Sequence, residues 1–104
     1  MPQSILVVAP HPDDESIGCG GTICLHHRQG DRVQAVFLTS GERGVANASS
    51  ETAQAIREAE ARAAGELLFL DRLDFLRLPD LDVAGHIETG ALNCARCWKQ
   101  LRPM

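Results

Sequence analysis

Short apolar runs alternate with longer helix-like segments along this chain, joined by brief polar connections, and that alternation limits what it can fold into. Ser4–Ala9 (SILVVA) is a continuous apolar run, which predicts a strand covered on both faces. Pro10 and Pro12 end that run, and a helix is expected over 16–29, stopped by Gly30. A second strand is predicted over 33–39 (VQAVFLT), followed by a polar loop over 40–49. Ser50 or Thr52 is the expected cap of the next helix, whose inward face would carry Ile56, Ala59, Ala63 and Leu67 at helical spacing. Residues 73–78 (LDFLRL) alternate apolar and charged side chains, as a strand nearer a sheet edge would. A loop over 79–83 and a last helix over 86–101, ending at Pro103, complete the pattern. Strand and helix in strict alternation imply crossover connections and a parallel sheet. The expected architecture is one α/β domain over 1–104, a three-layer Rossmann-like fold that stops after its third β-α unit. Open sheets of this kind bind ligands beyond the carboxyl ends of their strands, so the loops after Ala9 and Thr39 are where chemistry belongs.

Bulk properties remove several classes. The formal charge is −4 and the cationic side chains are scattered, which argues against a nucleic-acid partner. No apolar run approaches the roughly 20 residues of a membrane-spanning helix. The N-terminus enters the first strand without a basic region or a small-residue cleavage site, so cytoplasmic residence is the expectation. Cys19, Cys24, Cys94 and Cys97 are then expected to be reduced, small apolar residues rather than disulfides.

The first carboxyl-end loop reads Pro10-His11-Pro12-Asp13-Asp14-Glu15. A histidine and three carboxylates in five residues would repel one another and resist desolvation if left unpaired. A divalent cation is the simplest remedy: His11 and Asp14 offer one nitrogen and one oxygen donor, both acceptable to zinc. Asp13 would then be free to take a proton from a metal-bound water, the division of labour that metal-assisted hydrolysis needs. The competing reading is a solvated acidic loop in which an aspartate caps the following helix, where negative charge is favourable. Spacing alone leaves both open.

Ala9-Pro10-His11-Pro12-Asp13-Asp14-Glu15, after SILVV and before Gly18-Cys19-Gly20-Gly21, resembles the signature of the PIG-L/LmbE-like deacetylases. The resemblance extends more weakly through Phe37-Leu38-Thr39-Ser40-Gly41-Glu42, where the family often has Asp in place of Ser40. It continues through Arg57 with Glu60, and through Leu76-Arg77-Leu78-Pro79-Asp80. It implies a zinc-dependent hydrolase that removes an acetyl group from an N-acetylglucosamine-type substrate. His11 and Asp14 would be zinc ligands, Asp13 the general base, and Arg57 a residue reaching the substrate or its acetate product. Family members are longer, and their third zinc ligand is a histidine beyond a fourth strand, past the point corresponding to Met104. The alternative is therefore a truncated, non-catalytic remnant or assembly subunit that keeps the first half of the fold, with self-association through an exposed sheet edge.

Other residues weigh less. His86, beside Gly85 at an expected helix start, is a conceivable substitute ligand but more simply a capping or solvent-facing group. His26 and His27 are adjacent on one helix and point about 100° apart, so they cannot both face one site; a surface role near the helix C-terminus suits them. Cys94-x-x-Cys97 has metal or redox spacing but lacks a second pair, so core packing is preferred. Gly18, Gly20 and Gly21 suggest close helix-on-sheet packing rather than a phosphate cradle. Glu60 falls on the predicted inward face and would need a buried partner. Glu42 and Arg43 lie on the second carboxyl-end loop, where sugar hydroxyls could be met.

Overall fold

The computed structural model describes residues 2–80 and 83–100. Three parallel strands, β1 (Ser4–Ala9), β2 (Arg32–Phe37) and β3 (Arg72–Phe75), lie in the order β1-β2-β3. In register, Ser4 faces Arg32 and Ala9 faces Phe37, while Gln34 faces Arg72 and Phe37 faces Phe75. Helix α1 (Asp14–Arg28) links the first pair of strands and α2 (Ser50–Leu68) the second; α3 (Ile87–Gln100) follows β3. Short 3-10 turns occupy Glu42–Gly44 and Val83–His86. This is the expected α/β fold with a parallel sheet. The expected loop positions 81 and 82, and the expected helix end at 101–104, lie outside the described residues.

Alternation along β2 divides the core. Ala35 and Phe37 point to one face, where they pack with Ala9 and with Ala61 of α2, beside Val7, Leu70, Leu73 and Phe75. Phe37 stacks on Phe75 at 5.1 Å, a geometry aromatic pairs favour. Val36 and Asp74 point to the other face, and Cys97 of α3 lies near enough to Asp74 to feel its charge. Helices thus cover both faces, giving three layers.

Several local expectations are corrected. The strand buried on both sides is β2, with Val33 to Phe37 all buried, because it is the central strand. β1 is not covered on both faces: only Ala9 is buried and Val8 is 52% exposed, since β1 is an outer strand of the described sheet. α1 starts two residues earlier than expected and α2 is capped by Ser49, whose Oγ accepts the Thr52 N–H at 3.2 Å, not by Ser50 or Thr52. The inward face of α2 is Ala53, Glu58, Ala61 and Gly65; Leu67 is 80% exposed and Ile56, Ala59 and Ala63 are exposed too. Small residues win that face because the helix lies close to the sheet: a Cβ on Gly65 would stand 3.0 Å from Leu73 Cδ1. The close packing expected of Gly18, Gly20 and Gly21 is absent. Gly18 and Gly21 have open space where a Cβ would go, and Gly20 meets only Leu68 of α2.

The third strand is shorter than 73–78, for a reason that matters to the site. Leu76 and Leu78 still donate backbone hydrogen bonds to Phe37 and Leu38, but Arg77 between them adopts φ +59°. That left-handed kink interrupts the extended run and turns the Arg77 guanidinium onto Glu58, with contacts of 2.9 Å to each carboxylate oxygen. Glu58 is buried and also accepts the Ser40 hydroxyl at 2.6 Å. The buried carboxylate of α2 is therefore Glu58; Glu60 is exposed and pairs with Arg57 at 3.6 Å. Arg77 lowers the Glu58 pKa most, against a raising effect of burial. Three elements are tied together by this cluster: the exits of β2 and β3, and the middle of α2.

Candidate active site

The loop after β1 is a tight turn. The Asp14 N–H donates to the His11 carbonyl at 3.2 Å, Pro12 occupies the second position, and Asp13 the third with φ 91°, ψ −27°. This is the pattern of a type II turn, which favours Pro then Gly; an aspartate there holds a left-handed conformation at some cost. Pro12 is fully buried and pins the turn. Asp13 occupies the N-cap position of α1, yet its side chain makes no capping bond. Glu15, 1% exposed, accepts the Asp13 N–H at 3.0 Å and the Ser16 hydroxyl at 3.1 Å. The competing reading, in which an aspartate caps the helix, finds no capping bond from Asp13. Its carboxylate stands about half exposed in a cavity of about 390 Å³, walled also by His11, Asp14, Arg43, Arg57 and Asp80.

His11 and Asp14 converge across the turn, with Nδ1 and Oδ2 3.3 Å apart. Asp14 Oδ2 also accepts the His11 backbone N–H at 3.0 Å, which holds the carboxylate in place. Zinc bonds of about 2.0–2.1 Å set at tetrahedral angles place two donor atoms roughly 3.3–3.4 Å apart. The pair thus fits two corners of such a site. Among the described residues, no group of three His, Cys, Asp or Glu side chains is placed to hold an ion. His86 ends the 3-10 turn before α3 and does not line the cavity, so it supplies no third corner there.

Arg57 reaches the turn from α2. Its Nη2 donates to the Pro12 carbonyl at 3.0 Å and Nη1 to Asp13 Oδ2 at 3.4 Å. The contact with Asp13 is half exposed and long, so it orients the carboxylate more than it stabilises the fold. Arg57 Nε is buried and has no partner among the described residues. Room for this side chain comes from Gly41, where an added Cβ would lie 3.1 Å from Nε and 3.2 Å from Nη2, and where φ is +64°.

Asp80, just beyond β3, is the site residue that sequence reasoning passed over, seeing it only as the end of Leu-Arg-Leu-Pro-Asp. It is 6% exposed, with Oδ1 3.1 Å from His11 Nε2 and Oδ2 accepting the Arg43 N–H at 2.9 Å. Its own N–H donates to Glu42 Oε2 at 2.9 Å. Glu42 is thus occupied in joining the loops, whereas Arg43 lines the cavity. The usable signal was position: an aspartate at the carboxyl end of a parallel strand.

The remaining candidates find structural partners. His26 Nδ1 lies 2.7 Å from Asp31 Oδ2, and His27 stacks on Phe69 at 4.2 Å, both at the C-terminal end of α1, away from the cavity. All four cysteines are free, and burial pushes the Cys94 and Cys97 thiols up. No described helix is long and apolar enough to cross a membrane.

The family model described as PIG-L, GlcNAc-PI de-N-acetylase, matches residues 6–104. A 1D-myo-inositol 2-acetamido-2-deoxy-alpha-D-glucopyranoside deacetylase of Acidothermus cellulolyticus is 50% identical over 44 residues, covering 42% of this chain and 15% of that protein. A probable N-acetyl-alpha-D-glucosaminyl L-malate deacetylase 2 of Bacillus anthracis is 37% identical over 81 residues, 73% of this chain and 36% of the other. Among solved structures, the N,N'-diacetylchitobiose deacetylase of Pyrococcus horikoshii superposes with TM-score 0.71 at 34% identity, over 75% of this chain and 30% of its own. The 4-carboxy-2-hydroxymuconate hydratase GalB of Pseudomonas putida KT2440 also gives 0.71, at 32% identity, over 79% and 36%. The matched region spans well under half the length of each of these relatives.

Proposed function

This chain belongs to the PIG-L family of de-N-acetylases, and from that premise we propose that it carries the metal-binding and proton-accepting half of a zinc-dependent hydrolase that deacetylates an N-acetylated amino sugar. The observation carrying the proposal is the turn itself: His11 and Asp14 present a donor pair at 3.3 Å while Asp13, between them, keeps its carboxylate out of helix capping and in the cavity. Structural likeness alone does not choose the reaction, because a hydratase superposes as well as a deacetylase. The sequence relatives named above are both sugar deacetylases, and that favours amide hydrolysis.

His11 and Asp14 would hold the ion, which when bound supplies Lewis acidity and a water acidified towards neutral pH. Asp13 accepts the proton of the attacking water as it adds to the acetamide carbonyl. Arg57 keeps Asp13 oriented through its 3.4 Å contact. The proton then goes to the amine nitrogen as the C–N bond breaks, giving acetate and a free amino sugar. Arg57 also contacts substrate or acetate in this reading; its place on the cavity wall and its unpartnered Nε support that role. The cytoplasm, which keeps thiols reduced, is the proposed setting.

Elemental analysis of the purified chain, together with amine release from an N-acetylglucosamine substrate, tests the assignment. Asp13→Ala is expected to keep zinc and lose turnover, and His11→Ala to lose both. Retained activity in either variant would sink the roles. A wild-type chain of confirmed mass that binds no zinc would favour the non-catalytic remnant instead.

A further inference from the structure

We infer that Asp80 is a positioning residue for His11: its buried carboxylate takes the Nε2–H and so fixes the imidazole in the tautomer that leaves Nδ1 as a lone-pair donor beside Asp14. The inference rests on the metal reading above and deepens it.

A neutral imidazole has one N–H, and His11 lies between two carboxylates that could receive it. Asp80 Oδ1 is 3.1 Å from Nε2, and Asp14 Oδ2 is 3.3 Å from Nδ1. The Asp80 side chain is 5% exposed, whereas that of Asp14 is 45% exposed. A buried acceptor left without a donor loses far more than an exposed one, which water can satisfy. Asp14 Oδ2 moreover already accepts the His11 backbone N–H. The proton therefore belongs on Nε2, towards Asp80. Asp80 is itself held from two sides, by the Arg43 N–H on Oδ2 and by its own N–H on Glu42, so the ring is aimed by a rigid partner. A carboxylate bonded to the far nitrogen of a metal-binding histidine is the usual way such rings are oriented and made more basic.

Asp80→Asn separates this role from a merely structural one. The amide oxygen can still accept the Arg43 N–H, which turns the NH2 group towards His11 Nε2. A donor there forces the imidazole to place its own proton on Nδ1, facing Asp14. The loop is kept and the tautomer is inverted. Long-range proton–nitrogen correlation spectra of the full chain, at alkaline pH, report the tautomer directly, and His11→Ala assigns the signal. Wild type is expected to show Nε2–H and Asp80→Asn to show Nδ1–H. Zinc affinity, read by competition with a chromophoric chelator, is expected to fall about 10–100-fold in the variant. An Nδ1–H tautomer in wild type overturns the inference even if the variant fails to fold. So does an unchanged tautomer and zinc affinity in a folded Asp80→Asn. If wild type binds no zinc but the tautomer inverts as expected, the metal reading fails and the assignment of Asp80 stands.

Discussion

Asp13 holds φ 91° in a turn whose third position normally belongs to glycine, and this makes a stability experiment possible at a functional residue. Consider Asp13→Gly and Asp13→Ala together. A left-handed conformation costs a residue with a Cβ about 1–2 kcal/mol, and glycine nothing comparable. Against this, glycine has the more flexible unfolded chain, which costs about 0.4–1 kcal/mol relative to alanine. Both variants lose the same half-exposed contact with Arg57, which is worth little and cancels in the comparison. At mid-range values the net expectation is that Asp13→Gly is more stable than Asp13→Ala by roughly 0.8 kcal/mol, or about 3–6 °C in Tm for a domain of this size. Aspartate tolerates the left-handed region better than most residues, so wild type should fall near or between them. Urea titration and thermal melting of the three chains measure the order, with amine release recorded on the same samples. Turnover should vanish in both variants, including the more stable one. An alanine variant as stable as the glycine variant would refute the turn geometry. Turnover surviving in Asp13→Gly would refute the general-base role.

The Glu58 cluster should show in acid. Its pKa is depressed in the fold, chiefly by Arg77, so its contribution is complete above the unfolded glutamate value of about 4.3 and disappears as pH falls through the folded value; Glu58→Gln should flatten the stability–pH curve below about pH 4.5. Arg77→Ala should cost about 1–2 kcal/mol by urea titration, less than a fully buried pair because Arg77 is half exposed and screened; no measurable loss would show that the pair is not formed. Gly41→Ala meets Arg57 at 3.1 Å at a positive φ, so it should destabilise by about 1–2 kcal/mol and lower turnover, and an active, stable variant would remove Arg57 from the site. Gly65→Ala sets a helix-propensity gain of about 1 kcal/mol against overpacking of Leu73 at 3.0 Å, which costs about 1–3 kcal/mol; a rise in Tm would show that α2 can lift from the sheet.

How much of this was legible in the linear chain depends on whether a residue acts through its neighbours or through distant segments. The alternation of apolar runs and helical segments determined the α/β class and the position of β1, because a short apolar run ended by prolines extends as a strand whatever its final burial. His11, Asp13 and Asp14 were legible because they sit within four positions of one another, and a Pro–Asp turn needs only local backbone preferences to bring them together. The inward face of α2 was misread, since a helix that approaches a sheet closely buries small residues and one paired carboxylate, and hydrophobicity then points the wrong way. Asp80 and Arg77 became functional neighbours of His11 and Glu58 only across 69 and 19 positions. Parallel pairing stacks the carboxyl ends of the three strands side by side, and no local preference of the chain encodes which loop side chains will meet there. Residue types at one turn were determined by sequence; which buried carboxylate faces which ring, and hence where a proton resides, was decided by the packing of the tertiary structure.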